Sequence, residues 1–320
     1  MHRVLLLPGD GQGPEAVAAA GRILSNATDQ VDIVIGDIGS SAYEKCGEFL
    51  PFDTIDQVSR APVVIAGPTE VTAEGDNTRN PLLTLLAQLD LYARSRTFRT
   101  LADGLGSPGV DLTIWGSIMN PQVDITETPD VDGVTLSKYI RSDCYVRMLN
   151  AALSDMEADH IDSTVCIARD DLFPESSRSF YEMFDALFQN GRHENIRNWA
   201  TRTIMDPTRD RFAVVADLYV AVAESIAAGV TGGNRLTPTK LVGDRRSIIF
   251  IGDLDQRDTD TSTVCAVSAA AEALKSLGLT EEHDRVVQAL RDTLASGERT
   301  ANIGGTLSSS EFTDRVVSRL

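Results

Sequence analysis

Short apolar runs typical of buried strands alternate with amphipathic helical segments along the whole chain. The run VLLLP at 4–8 leads through GDGQGPE into a helical pattern at 15–24, and Pro14 suits the first turn of that helix. The run APVVIAGPT at 61–69 is unbroken, which indicates a strand covered on both faces. Strands that alternate with helices predict an α/β protein with a mainly parallel sheet.

The remaining elements follow from the same patterns. Further strands are predicted at 31–39, 110–115, 162–168, 212–220 and 247–253. Helices are predicted at 53–59, 81–91, 137–158, 177–189, 221–230, 263–277, 281–296 and from about 309 onward. Residues 120–135 are rich in Pro, Asp, Val and Thr without helical period, which predicts an arm or a hairpin.

Charge and composition exclude several classes of function. The 320 residues carry a net charge of −18, and nucleic acid is not expected as a partner because phosphate binding needs a basic surface. No apolar run approaches the roughly 20 residues of a membrane helix, and the apolar run at the start is too short for a signal peptide. The four cysteines and four histidines are scattered, without metal or redox spacing. We therefore expect a cytoplasmic protein that does not bind a membrane.

Six segments carry a family resemblance when they are taken in order. They are LLPGDGQGPE, IGSSAYEKCGEFLP, APVVIAGPT, LDLYARSRTF, TGGNRLTPT and TANIGGTLSSSEF. Together they resemble the isopropylmalate and isocitrate dehydrogenases, the metal-dependent β-decarboxylating hydroxy-acid dehydrogenases, over residues 3–320. Lys138 and the Gly-Pro-Thr after the third strand lean toward the isocitrate side of the family. The glycines of GDGQGPE do not match the Rossmann fingerprint.

The resemblance implies a fold and an assembly. We expect a two-domain α/β fold with a mixed sheet that continues through both domains, and not a Rossmann fold. Residues 1–95 and 236–320 would form the large domain, on the cofactor side in the family, and residues 96–235 the small one. A dimer arm would span about 116–135, and the helix near 221–230 would pack across a homodimer.

The resemblance also places three metal-binding aspartates, and this chain replaces all of them. The family holds a divalent cation that polarises the substrate oxygen, and oxygen ligands suit magnesium or manganese. The three positions here fall at Arg197, Ala221 and Ser225. A guanidinium at Arg197 could take the place of the cation and pair with a carboxylate. A two-residue gap in the alignment leaves open that Asp217 or Glu224 replaces one ligand.

Most substrate and acid–base positions are replaced as well. Of three arginines that hold substrate carboxylates in the family, two positions carry Leu86 and Gly116, and Arg96 is retained. The catalytic lysine falls at Arg169, which stays protonated and cannot take over proton transfer. The neighbouring asparagine falls at Asp171. The expected tyrosine is missing from SIMNPQVD, and the acidic residues at 170 and 171 are either new acid–base groups or a solvated turn.

The cofactor loop is acidic and has lost the family pattern. The family uses NAD or NADP, and the candidate contacts here are Gly11, Gly252 and Asn302. The segment IGDLDQRDTDTSTVC carries a negative charge that disfavours a dinucleotide diphosphate. NAD and magnesium or manganese are thus what the family implies, rather than what these residues favour.

Three hypotheses remain open from the sequence. The first is a non-catalytic or regulatory homologue that binds a small carboxylate or a related active subunit. The second is an enzyme with metal-free chemistry on a carboxylate, using Arg96, Arg169, Arg197 and nearby acids such as Asp171. The third is an ordinary NAD-dependent hydroxy-acid dehydrogenase that the alignment disguises.

Overall fold

The computed structural model describes residues 1–70, 80–118, 125–252 and 259–320. The described strands are, in chain order, β1 (His2–Leu7), β2 (Val31–Ile35), β3 (Val63–Ala66), β4 (Leu91–Arg99), β5 (Asp111–Ser117), β6 (Ile125–Asp130), β7 (Gly133–Lys138), β8 (Thr164–Ala168), β9 (Gly191–Asn195), β10 (Phe212–Val215), β11 (Thr239–Gly243) and β12 (Ser247–Phe250).

The described helices are α1 (Gly13–Ala27), α2 (Ser40–Cys46), α3 (Phe52–Arg60), α4 (Pro81–Gln88), α5 (Ser142–Ala158), α6 (Pro174–Asp185), α7 (Ile196–Met205), α8 (Val220–Thr231), α9 (Thr263–Ser276), α10 (Thr280–Ala295) and α11 (Ser309–Val317). Among the residues that the structure describes, no helix is long and apolar enough to cross a membrane.

The chain divides into two compact units. The first consists of Met1–Leu91, Arg99–Pro108 and Thr231–Leu320. Its strands lie in the order β2-β1-β3-β12-β11, all parallel to their neighbours except β11, which is antiparallel to β12. Helices α1 and α9 cover the sheet, and their alanine-rich faces bury a core with the side chains of β1 and β3. The sheet is therefore mixed, as the resemblance implies.

The second unit consists of Tyr92–Phe98 and Gly109–Val230. Strand β10 pairs in parallel with β5 and β8, and β9 pairs in parallel with β8. Phe98, Ile114, Trp199 and Val215 belong to its apolar core. Strands β6 and β7 form a separate antiparallel hairpin. The hairpin includes residues 125–135 of the predicted arm, whereas Gly116 and Ser117 belong to β5. Residues 119–124 of that arm lie outside the described residues.

The predicted α/β fold class is confirmed, whereas several predicted element ends are wrong. The strand predicted at 212–220 ends at Val215, because a 3-10 turn at Asp217–Tyr219 leads directly into α8. The helix predicted at 137–158 begins at Ser142, since the preceding residues complete β7. The helix predicted at 81–91 ends at Gln88.

Five of the described elements were not predicted. Strand β4 was hidden because arginines occupy alternate positions of LYARSRTFR, where a half-buried strand normally carries apolar residues. Strand β9 and helix α7 carry a polar pattern, GRHENIRNWATRTIM, that only tertiary ion pairs explain. The elements α2 and β11 are too short to show a clear helical or strand periodicity of apolar residues.

A network of ion pairs joins β9 to α7. Glu194 accepts a hydrogen bond of 2.9 Å from Arg202 Nε and also pairs with Arg192. Arg202 reaches Asp210 at 2.7 Å, and Trp199 Nε1 donates to the same carboxylate at 3.1 Å. The network therefore pairs the charges of two arginines and two carboxylates beside a fully buried tryptophan.

This network predicts a loss of stability in acid. Burial alone would raise the pKa of Glu194, but hydrogen bonds from Arg202 and Arg192 outweigh it and lower the pKa below its ordinary value of 4.5. The stabilisation is therefore fully present above pH 4.5 and is lost as the pH falls through the lowered pKa. Urea unfolding measured from neutral to acidic pH should show a shallower loss in Glu194→Gln than in the wild type. Equal pH dependence would contradict the assignment.

Candidate functional site

Polar side chains collect where the parallel strands of the second unit end. Arg169 follows β8, Asn195 closes β9 and Asp217 follows β10. Parallel strands bring their carboxyl ends to one edge of the sheet, which is where ligands bind in open α/β sheets. The interiors of β8 and β10 are wholly buried and apolar, so the chemistry of this edge depends on the residues just beyond them.

Three residues predicted as catalytic candidates lie together at this edge. Arg169 Nε pairs with Asp171 Oδ1 at 3.0 Å, and Arg197 Nη1 lies 3.6 Å from Asp171 Oδ2. Asn195 Nδ2 donates to the carboxylates of Asp171 at 2.7 Å and Asp170 at 2.6 Å. The Asn195 hydrogen bond, followed by those of Arg169, lowers the pKa of Asp171. The cluster is charged and largely exposed, and its arginines share one carboxylate.

Helix α7 positions Arg197. Asn195 is the N-cap residue, and its Oδ1 accepts a hydrogen bond of 3.0 Å from the Arg197 backbone N–H. The same amide thus caps the helix and, through Nδ2, holds Asp171. Sequence reasoning missed Asn195, although an asparagine directly before the helical run IRNWATRTIM is a typical capping signal.

The residues at the predicted metal positions do not fit a divalent cation. Arg197 presents a guanidinium that is paired with Asp171. Ala221 and Ser225 lie on the exposed face of α8, and the Ser225 hydroxyl donates to the Ala221 carbonyl at 2.8 Å. Within the described residues, no group of three or more His, Cys, Asp or Glu could hold a metal ion. The three positions themselves supply none of the carboxylates that magnesium prefers.

The two alternative metal ligands are engaged elsewhere. Asp217 Oδ2 forms an ion pair of 2.8 Å with Lys138 Nζ, and both side chains are about nine-tenths buried. Tyr145 Oη accepts a hydrogen bond of 3.2 Å from the Asp217 backbone N–H. Burial, followed by the charge of Asp217, raises the pKa of Tyr145. Lys138 and Tyr145 were missed as site residues because they come from the hairpin and from α5, distant in sequence from Asp217.

Glu224 is the other alternative, and it is fully buried against two arginines. Arg94 Nε donates to Glu224 Oε1 at 3.0 Å, and Arg94 Nη2 pairs with Oε2. Arg96 Nη1 lies 3.5 Å from the same Oε2, and its guanidinium lies 5.0 Å from the centre of the Phe98 ring. The Arg96 side chain has no exposed surface. Its predicted role in binding substrate stays a prediction.

Gly116 stands at another position where the resemblance implies an arginine, and the side chain of Val220 occupies the space that a larger residue would need. A Cβ added at Gly116 would lie 2.2 Å and 2.7 Å from the two methyl carbons of Val220. Val220 begins α8 and is 2% exposed. No larger side chain fits at Gly116 unless Val220 moves. Leu86, at the other replaced arginine position, lies on α4 in the first unit.

The predicted cofactor residues lie in the first unit. A Cβ at Gly11 would lie 2.0 Å from Thr259 Oγ1, so the chain after the acidic loop packs on the glycine-rich turn. The Gly252 carbonyl accepts a hydrogen bond of 2.8 Å from Thr239. Asn302 belongs to a 3-10 turn at Ala301–Ile303. The middle of the predicted cofactor loop, 253–258, lies outside the described residues, and the cofactor roles stay predictions.

Comparison with known proteins gives consistent matches. A family model described as isocitrate/isopropylmalate dehydrogenase matches residues 3–111. An isocitrate/homoisocitrate dehydrogenase of Thermus thermophilus is 25% identical, with 100% of this chain and 98% of the relative covered. A mitochondrial regulatory subunit of NAD isocitrate dehydrogenase from Dictyostelium discoideum is also 25% identical, with 100% of this chain and 92% of the relative covered.

The fold is matched by solved structures. The crystal structure of isocitrate dehydrogenase from Methylococcus capsulatus aligns with a TM-score of 0.87. It is 20% identical in sequence, and the alignment covers 100% of this chain and 99% of that one. The arrangement of strands and helices is therefore shared, whereas the side chains at the sites described above must be judged on their own chemistry.

Proposed function

We propose that this chain, which belongs to the isocitrate/isopropylmalate dehydrogenase family, is a non-catalytic homologue with a regulatory or ligand-binding role. The observation that carries the proposal is Arg197, whose guanidinium occupies a position that the resemblance gives to a metal-binding carboxylate and pairs there with Asp171. A cation held by aspartates is needed to polarise the substrate oxygen in this chemistry. With Ala221 and Ser225 at the other two positions, the chain lacks that donor set.

The replaced lysine supports the same proposal. Arg169 stays protonated at any physiological pH and cannot exchange a proton with a substrate. Its guanidinium forms an ion pair of 3.0 Å with Asp171. The retained framework indicates that some function persists. The Dictyostelium relative, whose name describes it as regulatory, is an example of such a role in another protein.

Activity and metal binding test the proposal directly. The purified chain is mixed with NAD or NADP, magnesium or manganese, and isocitrate, homoisocitrate or isopropylmalate in turn. We expect no reduced nicotinamide in any mixture, and no saturable heat when magnesium is titrated into the protein by calorimetry. Nicotinamide reduction that needs the metal and changes in Arg169→Ala would defeat the proposal, whereas reduction unchanged in that variant would identify a contaminating enzyme.

A gain-of-binding variant calibrates the metal titration. Ala221→Asp combined with Ser225→Asp places two carboxylates on the exposed face of α8, where both positions have room. Residues four apart on a helix are neighbours, so the pair can share a cation. We expect this variant to bind magnesium measurably more tightly than the wild type.

A second candidate function is metal-free chemistry on a carboxylate. It is favoured by the gathering of Arg169, Arg197, Asp170 and Asp171 at the exposed carboxyl edge of the sheet. Arginines recognise carboxylates bidentately, and the acids could exchange protons. Turnover of a hydroxy or keto acid without metal, abolished by Asp171→Asn, would favour this candidate over the first.

We include an assembly and a compartment in the proposal. The hairpin and the start of α8 expose apolar side chains, among them Val131, Val134, Leu136 and Val222. We propose that a second copy of this chain covers them, and light scattering of the purified protein should give twice the 34.6 kDa of one chain. A monomer that associates only with a related, active homologue would indicate a heteromer instead. The four free cysteines support a reducing compartment such as the cytoplasm.

A further inference from the structure

The side chains of Arg94, Arg96 and Glu224 form a buried cluster. The two arginines contact the Glu224 carboxylate in the way that a binding site contacts a carboxylate ligand. Arg94 engages both oxygens of Glu224 through Nε and Nη2, the fork-like arrangement in which a guanidinium recognises a carboxylate. Arg96 approaches the same Oε2 at 3.5 Å. The carboxylate is fully buried, so its favourable partners are protein groups rather than bulk water.

The two arginines and the glutamate come from different elements. Arg94 and Arg96 are two residues apart on β4, so they project from the same face of the strand. Glu224 enters from α8, where its helical neighbours Ala223, Ala227 and Ala228 are small and buried. From this row of alanines, the long acidic side chain of Glu224 extends to the two arginines.

We infer that Arg94 and Arg96 form a receptor for a small monocarboxylate and that Glu224 is its built-in occupant. The inference deepens the proposed function and rests on it, because a receptor filled by the chain itself has no free place for a carboxylate substrate. In the wild type, small carboxylates therefore do not bind at Arg96, and any ligand that the protein takes is bound elsewhere.

Truncating Glu224 to alanine tests the inference, because it removes the atoms that make up acetate. Glu224→Ala should lower the melting temperature by several degrees, since it leaves two arginines without this carboxylate. Sodium acetate should then restore at least half of the lost temperature, saturably, because a ligand that binds only the folded state stabilises it. Sodium chloride at equal ionic strength should restore much less.

Three controls make the result specific. The wild type should show no acetate-dependent shift beyond that of chloride, and neither should Glu224→Gln, whose side chain still fills the space. Acetamide, a neutral molecule of the same shape as acetate, should not stabilise Glu224→Ala. The double variant Arg96→Met/Glu224→Ala should lose most of the acetate response, because one of the two guanidinium groups is gone.

The outcomes separate the inference from the proposed function. Equal effects of acetate and chloride on Glu224→Ala would overturn the inference and leave the absence of nicotinamide reduction untouched. Should Glu224→Ala not fold in chloride, the urea-unfolded variant is refolded in parallel into acetate and chloride. Folded protein recovered in acetate alone supports the inference, and equal recovery in the two salts, or none in either, overturns it.

Discussion

Replacing Lys138 with methionine is expected to lower the free energy of unfolding by about 3–5 kcal/mol. The ion pair between Lys138 Nζ and Asp217 Oδ2 is 2.8 Å long and buried on both sides. Methionine keeps much of the volume but leaves the carboxylate of Asp217 without its ammonium partner. A buried charge that loses its partner costs far more than the ion pair itself contributes. Urea unfolding followed by circular dichroism measures the loss.

Two matched variants show whether burial is the cause. Lys138→Met combined with Asp217→Leu removes both charges and should recover at least half of the loss. Lys45→Met breaks an ion pair with Asp37 whose two side chains are 63% and 47% exposed, and it should cost less than about 1 kcal/mol. If the double variant were as unstable as Lys138→Met, or if Lys45→Met had an equal effect, the loss would not come from burying the unpaired charge of Asp217.

The second large effect is expected at Gly116, where even alanine should lower the free energy of unfolding by about 1–3 kcal/mol. The added carbon would overlap both methyl groups of Val220, which is buried and β-branched and so has little freedom to turn away. Arginine, the residue that the resemblance places there, should be worse still, since it would also bury a charge. Thermal and urea unfolding of both variants would measure these losses.

A double-mutant cycle isolates the contact. Val220→Ala makes room, so Gly116→Ala combined with Val220→Ala should be more stable than the sum of the single losses predicts, by about 1 kcal/mol or more. Gly229→Ala is the matched control: a Cβ at Gly229 would meet no described atom within 4 Å, and alanine favours the helix. It should leave stability unchanged or raise it slightly. Strict additivity in the cycle would contradict the predicted clash.

The fold class could be predicted from the sequence because the patterns that indicate strands and helices lie within short segments of the chain. Apolar runs such as VVIA and TVCIA predict buried strands without any knowledge of their neighbours. Arg169 and Asp171 could likewise be placed at the end of a strand, since both follow the strand predicted at 162–168. Arg197 could not, because it follows β9, which the sequence did not predict, and only the parallel pairing of β9 with β8 brings it to the same edge.

The contacts inside the second unit could not be predicted in the same way. Arg94 pairs with Glu224 across 130 positions of sequence, and only the packing of α8 on β4 brings them together. One signal was present, because a glutamate within AVAESIAAGV must either face solvent or find a cation. The contact of Gly116 with Val220 gave no such signal, since neither residue is unusual where it stands.

The packing of Val220 against Gly116 also restricts the mutational routes open to this protein. A single substitution to arginine at position 116 would meet the valine side chain and strongly destabilise the folded chain. An arginine there requires a smaller residue at 220 first, and that step alone opens a cavity with no compensating gain. The effect of a substitution at position 116 thus depends on the residue at position 220. Chains of this kind that carry arginine at position 116 are expected to carry a smaller residue than valine at position 220.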